Sequence, residues 1–174
     1  MEDDSIWYSL IEEFVVTEDC FKNNDVSIID NDGLQHYLDN KEYMIYLSQI
    51  TAAIATGNTT IKIEQFEDFM NTEKNLMLPL VVKEVGDDFT AHAFYNQANS
   101  GTFGIHTDPV DVFIQCLAGV KHLEVEGYEM FLGPHEIAYV PANTPHRALN
   151  KEKALVVSYG IYDTETSSSI RKND

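Results

Sequence analysis

The segment Gly101-Thr-Phe-Gly-Ile-His106-Thr-Asp108-Pro109-Val-Asp-Val-Phe-Ile-Gln-Cys-Leu-Ala-Gly119-Val-Lys121 concentrates the reactive chemistry of this chain of 174 residues. His106 and Asp108 stand two apart. On an extended strand residues i and i+2 share a face, so the imidazole and the carboxylate could reach one metal ion together. Pro109 holds Asp108 extended and interrupts ladder pairing. Further on, Val140-Pro141-Ala-Asn-Thr-Pro145-His146 reads as a strand running into a turn bracketed by prolines. The two prolines stiffen that loop and present His146 at a fixed place. One imidazole and one carboxylate from the first segment, with an imidazole from the second, make a 2-His-1-carboxylate set. Such a set covers one face of an octahedral iron and leaves the other positions open.

Lys121 is the third feature. In the predicted strand Val120–Val125 it shares a face with Leu123 and Val125, while Val120, His122 and Glu124 take the other. An inward lysine is costly unless an anion or a hydrogen-bond partner meets it. A carboxylate ligand would be a natural partner for so compact a charge. An internal Asp or Glu, or a side chain that snorkels out at the strand end, would also satisfy it.

Working outward, the chain is predicted to be mainly β with N-terminal helices. Short apolar runs fall at Thr59–Ile63, Leu80–Val85, Phe89–Tyr95, Val110–Leu117, Val120–Val125, Tyr128–Phe131, Glu136–Val140 and Ala154–Ile161, separated by Gly, Pro, Asn and Asp. That texture predicts a sandwich or barrel, not alternating βαβ units. Glu126-Gly127 predicts a hairpin turn. Upstream, Ile6, Trp7, Leu10, Ile11 and Phe14 recur at helical spacing. Tyr43, Ile45, Tyr46, Leu47, Ile50 and Ile54 predict a second helix ending near Gly57, and Asp30–Asn40 a short one between them. The expected organisation is one domain: a helical segment over 1–58 packed on a β core over 59–162, with a flexible tail over 163–174.

Lys+Arg is 11 and Asp+Glu is 29, a net charge of -18. An acidic surface cannot displace counterions from phosphates, so nucleic acid is excluded as a partner, and an anionic membrane with it. No apolar run reaches the ~18 residues of a membrane span. The two cysteines are too few for a disulfide framework, and Met1-Glu-Asp-Asp4 is acidic where a signal peptide would be basic. The expectation is a soluble cytoplasmic protein.

The run from His106 to Lys121 resembles the JmjC-type, cupin-like oxygenases that use Fe(II) and 2-oxoglutarate. It is most similar to their protein-hydroxylase branch, the ribosomal oxygenases and the asparaginyl hydroxylase that acts on hypoxia-inducible factor. In that branch a His-x-Asp pair is followed by a strand and then by Gly-x-Lys or Gly-x-Arg. The basic residue stands fifteen positions after the histidine, as Lys121 does after His106. The resemblance covers about residues 89–162 and implies a double-stranded β-helix, the cupin or jelly-roll barrel. It implies that His106, Asp108 and His146 bind iron and are catalytic, and that Lys121 binds the distal carboxylate of 2-oxoglutarate. Tyr95 or Thr102 would place a hydroxyl near the cosubstrate, and Ser158 a polar group near its other end.

The second half of the cupin pattern also fits, with Pro141, His146 and Asn150 at its Pro, His and Asn. Two of its glycines are replaced, by His135 and Asn143. A four-ligand cupin would have His at position 108 and Glu near position 112, where this chain has Asp108 and Val112.

The implied activity is hydroxylation of a protein side chain or a small molecule, with 2-oxoglutarate and O2 consumed and succinate and CO2 released. The acidity suits a basic protein substrate, and a homodimer is one arrangement open to such a protein. Two other readings stand beside it. One is a metal-dependent cupin isomerase or dioxygenase that does not use 2-oxoglutarate; the other is a non-catalytic cupin binding module. Phe94, Phe103 and Phe113 are candidates to wall a pocket. His36, His92, His122 and His135 are assigned to the surface or the packed interior.

Overall fold

A computed structural model describes residues 5–67 and 89–162. The strand expected over Leu80–Val85 and the tail expected over 163–174 lie outside the described residues. Helices α1 (Ser5–Val15) and α2 (Glu18–Asn23) come first. Thr17 caps α2 by accepting the Cys20 N–H at 3.1 Å. Strands β1 (Val26–Ile29) and β2 (Gln35–Tyr37) follow, then α3 (Tyr43–Thr56). Gly57 closes α3 in the left-handed region at φ 67°, where the sequence predicts the helix to end. After it come β3 (Thr60–Ile63), β4 (Phe89–Asn96), β5 (Asp111–Gly119), β6 (Lys121–Val125), β7 (Tyr128–Leu132), β8 (Ile137–Val140), β9 (His146–Leu149) and β10 (Ala154–Ile161). No helix among the described residues is long and apolar enough to cross a membrane.

The short helix expected over Asp30–Asn40 is instead the turn and second strand of a hairpin. The Asp30 carboxylate accepts the N–H groups of Asp32 (2.9 Å) and Leu34 (3.0 Å), and Gly33 takes φ 77°. A side chain that bonds its own backbone two residues on competes with the helical ladder, and here it wins. The segment 1–58 is therefore not purely helical, because β1 and β2 lengthen the large sheet. The predicted Glu126-Gly127 turn joins β6 to β7 with both residues at positive φ (50° and 82°), as the tightest hairpins require.

The strands form a seven-stranded sheet, in the order β2-β1-β3-β4-β10-β5-β8, and a three-stranded sheet, β7-β6-β9. A single antiparallel bridge between His106 and His146 sets a rudimentary fourth strand beside β9. The small sheet and the β4-β10-β5-β8 part of the large one enclose the interior of a double-stranded β-helix. The large sheet has a core on each face, because successive side chains on a strand point to opposite sides. Ala91, Ala93 and Tyr95 of β4, with Leu155, Val157 and Tyr159 of β10, meet Ile11, Val15, Tyr46 and Ile50 of the helices. On the opposite face Val112, Ile114, Cys116 and Val156 meet Leu123 and Leu132 of the small sheet. Each fully buried Val, Leu or Ile among them contributes about 1.5–3 kcal/mol, and the alanines less.

The chain passes from the large sheet to the small one through Gly119 (φ 73°), two residues before Lys121. A Cβ at Gly119 would lie 2.0 Å from the Lys153 carbonyl oxygen and 2.4 Å from the Tyr8 hydroxyl oxygen. Gly119→Ala is therefore expected to cost about 2–4 kcal/mol, from left-handed backbone strain and overpacking together. Gly104→Ala, whose Cβ would meet nothing within 4 Å, should stay within about 0.5 kcal/mol of wild type. Denaturant melts of the two variants check the contrast.

Candidate metal centre and cavity

The sequence predicts His106 and Asp108 on a regular strand, and the structure holds them by a smaller device. His106 and His146 exchange both backbone hydrogen bonds (3.0 and 2.9 Å), and the Asp108 carbonyl accepts the Asn143 N–H at 2.7 Å. The proline-bracketed turn is thus clamped onto the 106–108 segment at two points. Asn143 takes φ 60°, and His135, at the other replaced glycine, takes φ 69°. Asn and His are among the residues that tolerate the left-handed region best, so the backbone shape survives without the glycines.

The clamp brings three ligand atoms of His106, Asp108 and His146 within 4.8 Å of one another. His146 Nε2 lies 3.3 Å from Asp108 Oδ2, and the two imidazole centroids are 4.4 Å apart. His106 Nδ1 is 2.9 Å from the Gly104 carbonyl oxygen, and His146 Nδ1 is 2.9 Å from that of Thr144. A carbonyl only accepts, so each Nδ1 carries the proton and each Nε2 is left as the ligating nitrogen. A metal on Nε2 would displace the second proton of a charged His146 ring; in that charged ring the Nε2–H donates to Asp108, and this hydrogen bond holds the Asp108 carboxyl below its ordinary range against the opposing effect of burial. The same bond raises His146. Two neutral imidazoles and an ionised carboxylate are the donor set that suits a first-row divalent metal.

These three residues line one side of a cavity of about 360 Å³ enclosed by the barrel. Lys121 lines it too and is 3% exposed. Its ammonium donates to Asn96 Oδ1 at 3.0 Å and to Asn150 Oδ1 at 2.5 Å. Both amides are oriented from behind. Asn96 Nδ2 donates to the Glu152 carbonyl, and Asn150 Nδ2 to Thr60 Oγ1 and the Gly101 carbonyl. A lysine has three N–H donors, and two are taken here. Among the described residues no carboxylate pairs with it, and burial pushes its pKa down to about 7. Of the partners that the sequence left open, the internal Asp or Glu and the snorkelling side chain are both absent.

The other expected residues divide. Thr102 lines the cavity, its hydroxyl donating to the Ala148 carbonyl at 3.0 Å. Ser158 lines it from β10, and Phe94 and Phe103 form part of its apolar wall. Tyr95 does not belong to it. It lies on the opposite face of β4, packed against Tyr8 and donating its hydroxyl to Glu12 of α1. The inward set of that strand is Thr90, His92 and Phe94, so the tyrosine is one residue out of phase. Phe113 packs against Tyr139 and the outer core.

Of the histidines set aside, His36 meets Asp30 at 2.6 Å and His122 meets Glu152 at 3.1 Å. His92 lines the cavity, and among the described residues its Nδ1, like that of His122, is buried without a hydrogen-bond partner. The alternation of Thr90, His92 and Phe94 with Ala91, Ala93 and Tyr95 was the signal that could have found it. Asn96 and Lys62 also went unnoticed.

Residues 92–160 match the family profile of the cupin domain. No curated protein sequence matches the chain. Among solved structures, the chain is similar to Escherichia coli ycfD, with a TM-score of 0.68 and 16% identity, over 94% of this chain and 47% of that one. It is similar to a second structure described as the Escherichia coli ribosomal oxygenase YcfD, with a TM-score of 0.66 and 19% identity, over 92% of this chain and 45% of that one. A third, of YcfD in complex with cobalt and succinic acid, aligns with a TM-score of 0.62 and 17% identity, over 91% of this chain and 45% of that one. This chain thus spans about half the length of those proteins. These likenesses place it among cupin folds.

The buried lysine makes stability depend on pH in a stated direction. An unfolded lysine titrates near 10.4, roughly, whereas the folded one is held to about 7. Between those values the unfolded chain binds a proton that the folded chain lacks, so stability rises with pH across that window. Below it the cost of burying the ammonium is paid in full. Denaturant midpoints from pH 7 to ~10 should climb less steeply in Lys121→Met than in wild type.

Proposed function

We propose that this protein is an Fe(II)- and 2-oxoglutarate-dependent oxygenase that hydroxylates a protein side chain or a small molecule. The observation that carries the reading is one cavity lined by both a preorganised His106/Asp108/His146 set and a buried cationic side chain with no anion beside it. The donor set fits Fe(II), with two imidazole Nε2 atoms and one carboxylate converging while the cavity side stays open. YcfD has been solved with cobalt and succinic acid, a divalent metal with the product of 2-oxoglutarate turnover, and that supports the same pairing here.

With Fe(II) bound, the chemistry supplied is oxygen activation, in which O2 gives one atom to succinate as 2-oxoglutarate loses CO2 and the other to a substrate C–H bond. The chain's own residues set the conditions. His106, Asp108 and His146 hold the metal, their orientation fixed by backbone carbonyls and the clamped turn. Lys121 receives the distal carboxylate of 2-oxoglutarate, offering a third N–H while Asn96 and Asn150 keep the ammonium in place. Charge-assisted bonds of this kind are about twice as strong as neutral ones. Thr102 adds a hydroxyl to the wall. Phe94, Phe103, Val112, Ile114 and Val156 exclude water, which strengthens every electrostatic contact inside. The net charge of -18 favours encounter with a basic substrate.

The test is 2-oxoglutarate binding to protein loaded with oxygen-inert Mn(II). Wild type should bind in the micromolar range, on the order of -8 kcal/mol. Lys121→Ala should keep Mn(II) and lose about 100-fold or more in 2-oxoglutarate affinity, and His106→Ala should lose both. Wild type that binds Mn(II) but not 2-oxoglutarate would move the function to another cupin chemistry. Wild type that binds neither would make the barrel a binding module.

A further inference from the structure

We propose that the Lys62–Glu64 ion pair beside the metal cavity binds the amino-acid head of the substrate, with the carboxylate on Lys62 and the ammonium on Glu64. The molecule oxidised is then a free aliphatic α-amino acid, and residues within a protein chain are excluded. The inference rests on the oxygenase reading above and chooses between its two substrate classes.

Three observations carry it. First, the pair is sheltered and incompletely used. Lys62 Nζ lies 2.8 Å from Glu64 Oε1, and the two side chains are only 14% and 22% exposed. Tyr37 and Gln35 donate to the same Oε1, at 3.3 and 3.4 Å. Among the described residues Oε2 accepts nothing, and Lys62 uses one of its three donors. Burial works to raise the Glu64 carboxyl, but the hydrogen bond and charge of Lys62, with His92 and Tyr37, hold it below its ordinary range. Second, position. Lys62 of β3 lines the cavity, and the charge of Glu64 acts on His92 in the cavity wall. Thr60, two residues earlier on β3, belongs to the Lys121 network. Lys62 therefore stands roughly 7 Å along the strand from that network, as a second cationic position. Its ammonium is 5.9 Å from the centre of the Phe103 ring, which is 6.2 Å from that of His106, so at most about 12 Å separates it from the His106 ring. A hydrogen bond of about 2.8 Å takes up one end of that span and a metal–nitrogen bond of about 2 Å the other. The remainder suits a short side chain.

Third, charge chemistry. A lone carboxylate would meet Lys62 but face the Glu64 charge beside it, and a lone ammonium would meet the reverse. A zwitterion satisfies both, through contacts that are each charge-assisted. Peptide linkage removes both charges, so a residue inside a chain offers an amide on either side and leaves the ion pair without a ligand. Phe94 and Phe103 wall the cavity between this head site and the metal set, which suits an aliphatic side chain.

The experiment titrates wild type loaded with Mn(II) and 2-oxoglutarate with L-valine, L-leucine and L-norleucine, each beside its N-acetyl amide, which keeps the side chain and carries neither charge. At least one of the amino acids should bind, and its amide should bind at least ~10-fold more weakly, the worth of one hydrogen bond to a charged group. The double variant Lys62→Met/Glu64→Gln removes both charges and strands neither. It should lose the amino acid by a similar factor while binding Mn(II) and 2-oxoglutarate as wild type does, which shows that it is folded. With Fe(II), the amino acid should raise succinate formation and its amide should not. Three results would overturn the proposal: no binding of any of the three amino acids, equal affinity for an amino acid and its amide, or wild-type amino-acid affinity in the double variant. Wild type that binds an amino acid through the pair but does not bind 2-oxoglutarate would overturn the oxygenase reading and keep the amino-acid site.

Discussion

The side-chain amide of Asn150 joins more of this molecule than any other polar group described above. Its oxygen accepts from Lys121 at the start of β6, and its nitrogen donates to Thr60 of β3 and to the Gly101 carbonyl ahead of the metal set. One planar group thus ties the small sheet, the large sheet and the loop that leads to His106. Every member of that network is buried, where a fully satisfied hydrogen bond is strong and a missing partner is expensive. The arrangement leaves Lys121 in a single pose, so the amine end of the cavity is in place before any ligand arrives, and an incoming carboxylate would favour its charged form.

The large sheet has no solvent face along its central strands. β4 and β10 hold the helices on one side and the cavity on the other, and the two jobs fall on alternate residues. The small side chains of Ala91 and Ala93 let α1 and α3 approach, while their neighbours Thr90, His92 and Phe94 furnish the wall. The clamp between His106 and His146 fastens the 106–108 segment to β9 with two hydrogen bonds and a stiff turn.

The candidate metal set was legible because its motif is local. His106 and Asp108 are separated by one residue, and His146 follows two prolines that announce a fixed turn. Lys121 was legible through parity, since it shares a strand face with Leu123 and Val125. Most strands were legible from their β-branched runs, and α3 from its periodicity and its glycine stop. What escaped depended on contacts distant in sequence or on a shift of one residue. The β1–β2 hairpin turns on the Asp30 carboxylate bonding its own backbone, which competes with helix in a way that a count of apolar residues does not register. Tyr95 was assigned by the chemistry of its hydroxyl, but a shift of one position reverses the face of a strand, and its hydroxyl belongs to Glu12. His92 was lost by the same error in reverse. Asn96 and Asn150 become partners of Lys121 only once four separate segments have met.

The double-faced sheet has an evolutionary consequence. Helix-facing and cavity-facing residues alternate along the same strands, and the inner core of Val112, Cys116, Leu123 and Leu132 lies beside the cavity wall. Residues such as Leu155, Val157 and Tyr159 are answerable to the outer core, whereas Phe94, Ile114, Val156 and Ser158 are answerable to whatever occupies the cavity. Selection can therefore remodel the inner wall for a new ligand while the helices go on holding the barrel from behind. A scaffold divided in this way can change its clientele one inward residue at a time without passing through an unfolded ancestor.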